Sequence, residues 1–475
     1  MPYQTINPAT GVLVETYHDI LDTDLEQAIA TAHACYEQDW RHRSVTERAR
    51  MVSGAATKLR EHAEEYARYV TLEVGKPIAT SRAEVSLSAD ILDYYARHAS
   101  EFLRPQKLPE SHGATLETRP LGVILAIEPW NFPYYQIVRV VGPQLMAGNV
   151  VIVKHAENVP QCALAFARLF EAAGAPPGSY TNVFASIRQV ERLIEDSRVR
   201  GVTVTGSERA GSAVAERAGR HLKKSVMELG GSDPFIVLED APLEMSMEAA
   251  VFGRMFNTGQ SCVSSKRIIV IGKERGRVFL NGFVERMAAL KVGNPEDPST
   301  TLGPLSSEKA MKILLKQIDV AKSGGARVVL GGRRIDRPGF YIEPTILMDI
   351  DRNNPIYTQE LFGPVAAYYV VESEDEAIAL ANATPFGLGA SVFSSDMEHG
   401  QRVAERIDSG MVFVNQPAWT APELPFGGVK NSGFGRELSE LGFGEFVNRK
   451  LINLAPAGSP FWGPVSDKVA RSIAM

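Results

Sequence analysis

The chain has only three cysteines, Cys35, Cys162 and Cys262, too few and too scattered for a disulfide framework or a zinc knuckle. Its nine histidines form no HxxxH or HExxH pair, so a metal site has no support. No apolar run approaches the ~20 residues needed to cross a bilayer, and the opening MPYQTINPATG has neither a basic region nor an apolar core. A basic block, an aromatic-basic stripe and a Lys/Arg-rich tail are all missing, and the formal charge is −6, which leaves no electrostatic footprint for nucleic acid or a membrane surface. These absences together lead us to expect a cytoplasmic protein that acts on small molecules.

What is present is material for more than one core. At 475 residues, 44% hydrophobic and 22% charged, the chain is long enough for two or three domains. The first hundred residues read as helices: SVTE at Ser44 to Glu47 is a capping box, and SRAEVSLSADILDYYARHASEFL is a second helical run. From about residue 120, short apolar runs (GVILAIEP, NVVIVKHA, SYTNVFA, VRGVTVTG, DPFIVLED) alternate with helical segments, the pattern of βαβ units with a mostly parallel sheet. A second such series follows Cys262: KRIIVIG, ARVVLGG, YIEPTIL, VAAYYVV, GASVFSS and GMVFVNQ. SHGATLETRPL and EFVNRKLINLAP are strand-like but fit neither series, so we expect them to pair as a protruding flap that an oligomer covers.

Cys35 and Cys162 sit in helical patterns, where a buried thiol is a small hydrophobe. Cys262 differs, because NTGQSC (257–262) joins the helical EAAVFGRMF to the strand-like KRIIVIG and reads as a buried turn ending on a thiol. In VTVTGSERAG a strand ends at Thr205, Gly206 and Ser207 turn, and a helix begins by Glu208; its N-terminus can hold a phosphate, or the turn is only a tight connection. Asn131 in EPWNFP reads as a helix N-cap with Pro133 in the first turn, or as an amide aimed at a developing oxyanion. Glu228 in MELGGSDPF lies in apolar surroundings, so its carboxylate is either paired in an ion pair or shifted upward as a general base. Arg139 interrupts the apolar run YYQIVRVV one turn beyond Tyr135 and requires an anion, either a substrate carboxylate or a structural salt bridge.

EPWNFP, KHAE, TGSERAG, MELGG, NTGQSC, QELFGPV and PFGGVKNSGFGRE, in this order and spacing, resemble the NAD(P)-dependent aldehyde dehydrogenase superfamily over nearly the whole chain. The resemblance implies an aldehyde dehydrogenase-like α/β fold of two Rossmann-like domains and a β-strand oligomerisation flap. Its expected limits are a dinucleotide-binding domain at 1–100 and 121–228, a catalytic domain at 229–430, and a flap at 101–120 and 440–460. It implies Cys262 as nucleophile, Asn131 with the Cys262 N–H as oxyanion donors, and Glu228 as base. For the dinucleotide it implies Trp130 and Gly206 among the contacts, with Lys154 and Glu157 at the adenosine ribose, Ser207 at the pyrophosphate, and Glu360 with Phe362 at the nicotinamide ribose.

An acidic Glu157 beside the ribose would accept from both hydroxyls of NAD and repel a 2′-phosphate, so NAD is expected over NADP, although Lys154 nearby can tolerate a phosphate. Arg139, the Lys154-His155 pair, the ELGGSDP spelling and SGFGRE resemble the bacterial branch of succinate-semialdehyde dehydrogenases. That branch implies an aldehyde with a distal carboxylate, held by Arg139 with Tyr135, Trp419 and Thr420. Phe256 departs from the better-known members, which carry a second arginine there, and CVSSK lacks the second cysteine of a disulfide switch. The expectation is NAD-dependent oxidation of succinate semialdehyde in a homodimer or homotetramer. Glutarate semialdehyde, a neutral aldehyde, a cysteine esterase and a non-catalytic structural protein are the alternatives.

Overall fold

The computed structural model describes residues 2–109 and 113–458. Runs that are apolar on both faces form the largely buried strands β1 (Val123–Glu128), β2 (Val150–His155) and β4 (Val199–Thr205), joined by the half-buried β3 (Tyr180–Asn182) and by β5 (Lys224–Glu228), which is buried from Val226 on. The second series gives β6 (Asp233–Val237), β7 (Ser265–Ile271), β8 (Arg327–Leu330), β9 (Thr345–Met348), β10 (Val365–Val371), β11 (Gly389–Phe393) and β12 (Met411–Val414), and the short β13 (Gly433–Phe434) closes the first sheet. The first sheet has the order β13-β5-β4-β1-β2-β3, parallel except for β13. From β3 back to β5 this is the strand order of a dinucleotide-binding sheet, whose crevice opens where the order reverses, between β1 and β4.

The second sheet runs β8-β9-β10-β7-β6-β11-β12, and only the β8–β9 pair is antiparallel. DPFIVLED, read above with the first series, belongs here: β6 pairs with β7 and β11. A third sheet joins Ala114–Pro120 to Val447–Asn453 and Gln106–Lys107. Within the expected flap segments 101–120 and 440–460, residues 110–112 and 459–460 lie outside the described residues. Among the described residues no helix is long and apolar enough to cross a membrane.

The all-helical reading of the N-terminus missed an antiparallel pair, Tyr3–Asn7 with Val12–Tyr17. Its turn residues, Asn7 to Gly11, were visible, with Gly11 at φ 76°. Helices α1 (Asp22–Gln38), α2 (Val45–Glu61), α3 (Ala63–Val74) and α4 (Ile78–Phe102) follow, and the Ser44–Glu47 capping box opens α2.

Helices α5 (Pro133–Ala147) and α6 (Pro160–Ala172) each start on a proline and have no side-chain cap of their own. Asn131 is therefore not the N-cap expected from sequence; Phe132 holds that position. The orphan N–H groups are satisfied from α3 and α4 instead. Glu84 Oε1 accepts from the Tyr134 and Tyr135 amides at 2.9 and 3.3 Å, and Glu73 accepts from those of Gln161 and Cys162. A carboxylate at each helix N-terminus also meets the positive end of the dipole.

Glu84 is ion-paired in turn with Lys76, which is fully buried and has its Nζ 3.7 Å from the Phe132 ring centroid. Removing one partner strands the other charge out of water, so Lys76→Met is expected to destabilise the fold by about 3–5 kcal/mol. Chemical denaturation against the unmodified protein checks this; a loss under 1 kcal/mol would mean the pair contributes little.

Candidate active site

The turn that carries Cys262 is held in a costly shape. The helix Leu243–Met255 ends, and Asn257, Thr258 and Gly259 follow with φ of 53°, 56° and 70°, a left-handed run that is especially unfavourable for the β-branched Thr258. Arg254, fully buried, offsets that cost by donating to the carbonyls of Gly259, Leu361, Gly363 and Val365. On the other side Lys266 Nζ, at the start of β7, donates to the carbonyls of Ser261 (2.9 Å) and Cys262 (2.6 Å). The result is a rigid loop that presents one thiol.

Cys35 and Cys162 are buried, whereas Cys262 is only partly so. Burial of its sulfur pushes the thiol up to about 12, while the positive charges of Arg139 and Lys266 pull it back down. At rest the group is a neutral thiol beside two cations that favour its ionisation.

Asn131, just before α5, turns its side chain to this loop: Nδ2 donates to the Gln260 carbonyl at 3.0 Å, and Oδ1 accepts from Gln136 Nε2 at 2.8 Å. Asn257 Nδ2 ties the Asn131 carbonyl to the same turn at 2.9 Å. His155, which burial holds neutral with its pKa pushed down to about 4, accepts from the Ala156 amide on Nδ1 and donates from Nε2 to the Pro133 carbonyl. It thereby locks the EPWNFP segment onto β2.

A cleft of about 890 Å³, counting the solvent at its mouth, opens beside Cys262. Its wall includes Phe132, Tyr135, Gln136, Arg139, Phe256 and Trp419, with Thr420 bonded to the Tyr135 hydroxyl at 2.7 Å. Phe256 stacks on Phe132 and meets Trp419 edge-on, so aromatic surface occupies the position where the better-known relatives of the resemblance carry their second arginine.

Arg139 is 1% exposed. Its Nε lies 2.7 Å from Glu437 Oε2, Nη2 donates to Thr205 Oγ1 at 3.2 Å, and the Tyr135 and Phe426 rings flank the guanidinium at 4.8 and 4.5 Å. The structural salt bridge left open by the sequence exists, yet Nη1 has no hydrogen-bond partner in the described structure.

Glu228, at the end of β5, is 2% exposed and neither carboxyl oxygen has a hydrogen-bond partner. Burial first, and the Glu437 charge second, raise it well above the usual carboxylate range; burial and Glu437 do the same to Glu128. Three buried carboxyl groups thus surround Arg139, and one cation balances only one of them. Glu437 is the carboxylate paired with Arg139, and Glu228 is one whose anion its surroundings disfavour.

The ends of β1, β2 and β4 bring Trp130, Lys154, Glu157, Gly206 and Ser207 to one edge of the first sheet, at the reversal of strand order. Ser207 caps the helix Glu208–Arg220 by accepting from the Ala210 amide, and Gly211 lies against Leu229, where a Cβ would come within 2.5 Å of a methyl. Lys154 Nζ is 2.6 Å from Glu157 Oε1; burial works to raise that carboxyl, but Lys154 prevails and holds it below its ordinary value. Phe362 meets Trp130 edge-on at 5.8 Å. Glu360 accepts from the Gly231 amide and pairs with Lys266 at 3.1 Å, so it adjoins the turn that carries Cys262. A helix N-terminus and a lysine at the crevice of such a sheet fit the phosphates of a dinucleotide.

Sequence reading missed Gln136, Lys266 and Glu437. The first two carried a usable signal, a polar residue within or at the edge of an apolar run, the same signal that singled out Arg139.

The family model for the aldehyde dehydrogenase family matches residues 1–452. The chain is 49% identical over 456 residues to a succinate-semialdehyde dehydrogenase (NADP+) of Deinococcus radiodurans, covering 96% of this chain and 95% of that one. It is 44% identical over 459 residues to succinate-semialdehyde dehydrogenase (NADP+) 1 of Mycobacterium tuberculosis, covering 96% of this chain and all of that one. The crystal structure of succinic semialdehyde dehydrogenase from Streptococcus pyogenes with NADP+ superposes with a TM-score of 0.93 at 46% identity, over 95% of this chain and 99% of that one.

Proposed function

The chain belongs to the aldehyde dehydrogenase family, and on that premise we propose that it oxidises succinate semialdehyde to succinate with a nicotinamide cofactor. The observation that carries the substrate is one cleft wall shared by Cys262 and Arg139, whose guanidinium is fixed on two sides and has Nη1 unpaired. A four-carbon aldehyde with a distal carboxylate spans from a thiol to a cation, and the similarity to two relatives named for that substrate supports the same reading.

Cys262, as thiolate, adds to the aldehyde carbon. Asn131 Nδ2 and the Cys262 N–H then donate to the oxyanion, each such donor being worth about 2.7–4 kcal/mol. Collapse of that oxyanion to the thioester expels hydride from the same carbon, for which a nicotinamide held in the crevice would be the acceptor. Glu228 then takes a proton from water, which attacks the thioester and releases the acid and the thiol. Sulfur suits both halves, since it is nucleophilic as thiolate and leaves readily from a thioester.

The dinucleotide would lie across Trp130, Lys154, Glu157, Gly206, Ser207, Glu360 and Phe362. The expectation of NAD over NADP relied on repulsion by Glu157; its ion pair with Lys154 offsets that charge, and the relatives are named for NADP+. We therefore read NADP+ as the cofactor, with NAD+ accepted less well. Residues 1–100 with 121–228 form the dinucleotide-binding domain and 229–430 the catalytic domain in this reading. The third sheet, with Leu451 and, just past its last strand, Leu454 more than half exposed, is the surface of a homodimer or homotetramer in this reading.

Steady-state rates with succinate semialdehyde and with butanal, before and after Arg139→Leu, test the substrate. The expected outcome is a fall in kcat/KM of about 10²-fold or more for the semialdehyde, from loss of a charge-assisted contact, against a much smaller change for butanal. Equal losses would remove the carboxylate contact. The same assays run with NADP+ and NAD+ rank the two cofactors.

A further inference from the structure

The two ends of the Asn131 amide have nearly the same shape, so only its hydrogen-bond partners decide which end reaches the substrate carbonyl. The Gln260 carbonyl accepts from Nδ2, but it also accepts from Asn257 Nδ2 at 3.1 Å and keeps that donor if Asn131 turns over. The other end is held by one contact, Gln136 Nε2 to Asn131 Oδ1. Gln136 is 2% exposed, on the cleft wall, in a helix whose neighbouring positions are Tyr135, Ile137 and Val138. Its own Oε1 has no partner in the described structure, so the bond to Asn131 is the one side-chain hydrogen bond recorded for this buried amide. An apolar side chain of similar length would fill the same volume without burying an unpaired oxygen.

We propose that Gln136 is a positioning residue for the oxyanion donor: its Nε2–H holds the Asn131 oxygen and so fixes Nδ2 toward the reacting carbonyl. This rests on the role proposed above for Asn131. The bond also draws electron density toward Oδ1, which makes Nδ2–H a stronger donor. Gln136 touches no reacting atom and acts through Asn131 alone.

The test is a mutant cycle with Gln136→Met, Asn131→Ala and the double variant, together with Gln136→Glu, on protein shown to be folded by circular dichroism and melting. Asn131→Ala is expected to lower kcat by about 10²–10³-fold. Gln136→Met is expected to lower kcat about tenfold with KM little changed, and to add nothing in the Asn131→Ala background, because residues that act as a unit are not additive. Gln136→Glu sets a carboxylate, which only accepts, against Oδ1 and turns the amide around. Its kcat is expected to fall about as far as that of Asn131→Ala, and the ratio of its kcat to that of the unmodified enzyme at the same pH to recover as the pH is lowered and the new carboxyl protonates.

Additive losses in the double variant, or a Gln136→Glu profile parallel to that of the unmodified enzyme, would overturn the positioning role and leave the Asn131 reading standing. An Asn131→Ala protein with undiminished kcat would sink both.

Discussion

Cys262→Ser is expected to lower aldehyde-dependent reduction of NADP+ by roughly 10⁴- to 10⁶-fold, with the fold intact. The replaced group differs by one atom, and the loop around it is held by Arg254 and Lys266 through backbone carbonyls that the substitution leaves in place. What is lost is chemical. A thiol that burial pushes up to about 12 still ionises far more readily than an alcohol in the same surroundings, with Arg139 and Lys266 assisting. An alkoxide is also a poor leaving group in the second half of the cycle.

The sign of the pH dependence follows from the same shift. A raised pKa means that thiolate is scarce at neutral pH and accumulates as the pH rises. Labelling of Cys262 by iodoacetamide in the cofactor-free protein is therefore expected to climb steadily on the alkaline side, without a plateau near pH 8. Cys35 and Cys162, buried and with raised pKa values, are expected to stay unlabelled until the protein unfolds.

Glu228→Gln is expected to cut kcat by about 10²–10⁴-fold while leaving a first, stoichiometric burst of NADPH. The amide is isosteric and cannot take the proton of the attacking water, so the thioester forms but does not turn over. In the unmodified enzyme burial and the nearby Glu437 disfavour the Glu228 anion. Its base form is the deprotonated one, so turnover is lost as the pH falls through a pKa well above the usual carboxylate range and gained as the pH rises. Stopped-flow traces across pH check both statements: Glu228→Gln should abolish the limb that reports this ionisation and keep the burst. A variant without a burst would place Glu228 in the first half of the reaction instead.

The two large sheets were legible because strands buried on both faces are written as unbroken apolar runs, as in VILAIE and VVIVKH. Arg139 was legible for the opposite reason, a charge inside such a run. What the charge does was not, since its partner Glu437 comes from near the other end of the chain. The capping of α5 was hidden in the same way: Asn131 precedes the helix and has the right chemistry, but Glu84, 50 residues before Tyr134, does the capping and frees Asn131 for the turn that carries Cys262. At Glu157 both charges were visible in one motif, but not that Lys154, three residues away, pairs directly with the carboxylate.

The central claim is a covalent bond between Cys262 and the substrate carbon, and mass spectrometry of the Glu228→Gln protein tests it most directly. The variant is mixed with NADP+ and succinate semialdehyde, quenched in acid after the burst and digested. The expected result is a succinyl thioester on the peptide that carries Cys262, in an amount equal to the NADPH formed. A full burst with that cysteine unmodified, or with the acyl group on another residue, would contradict it.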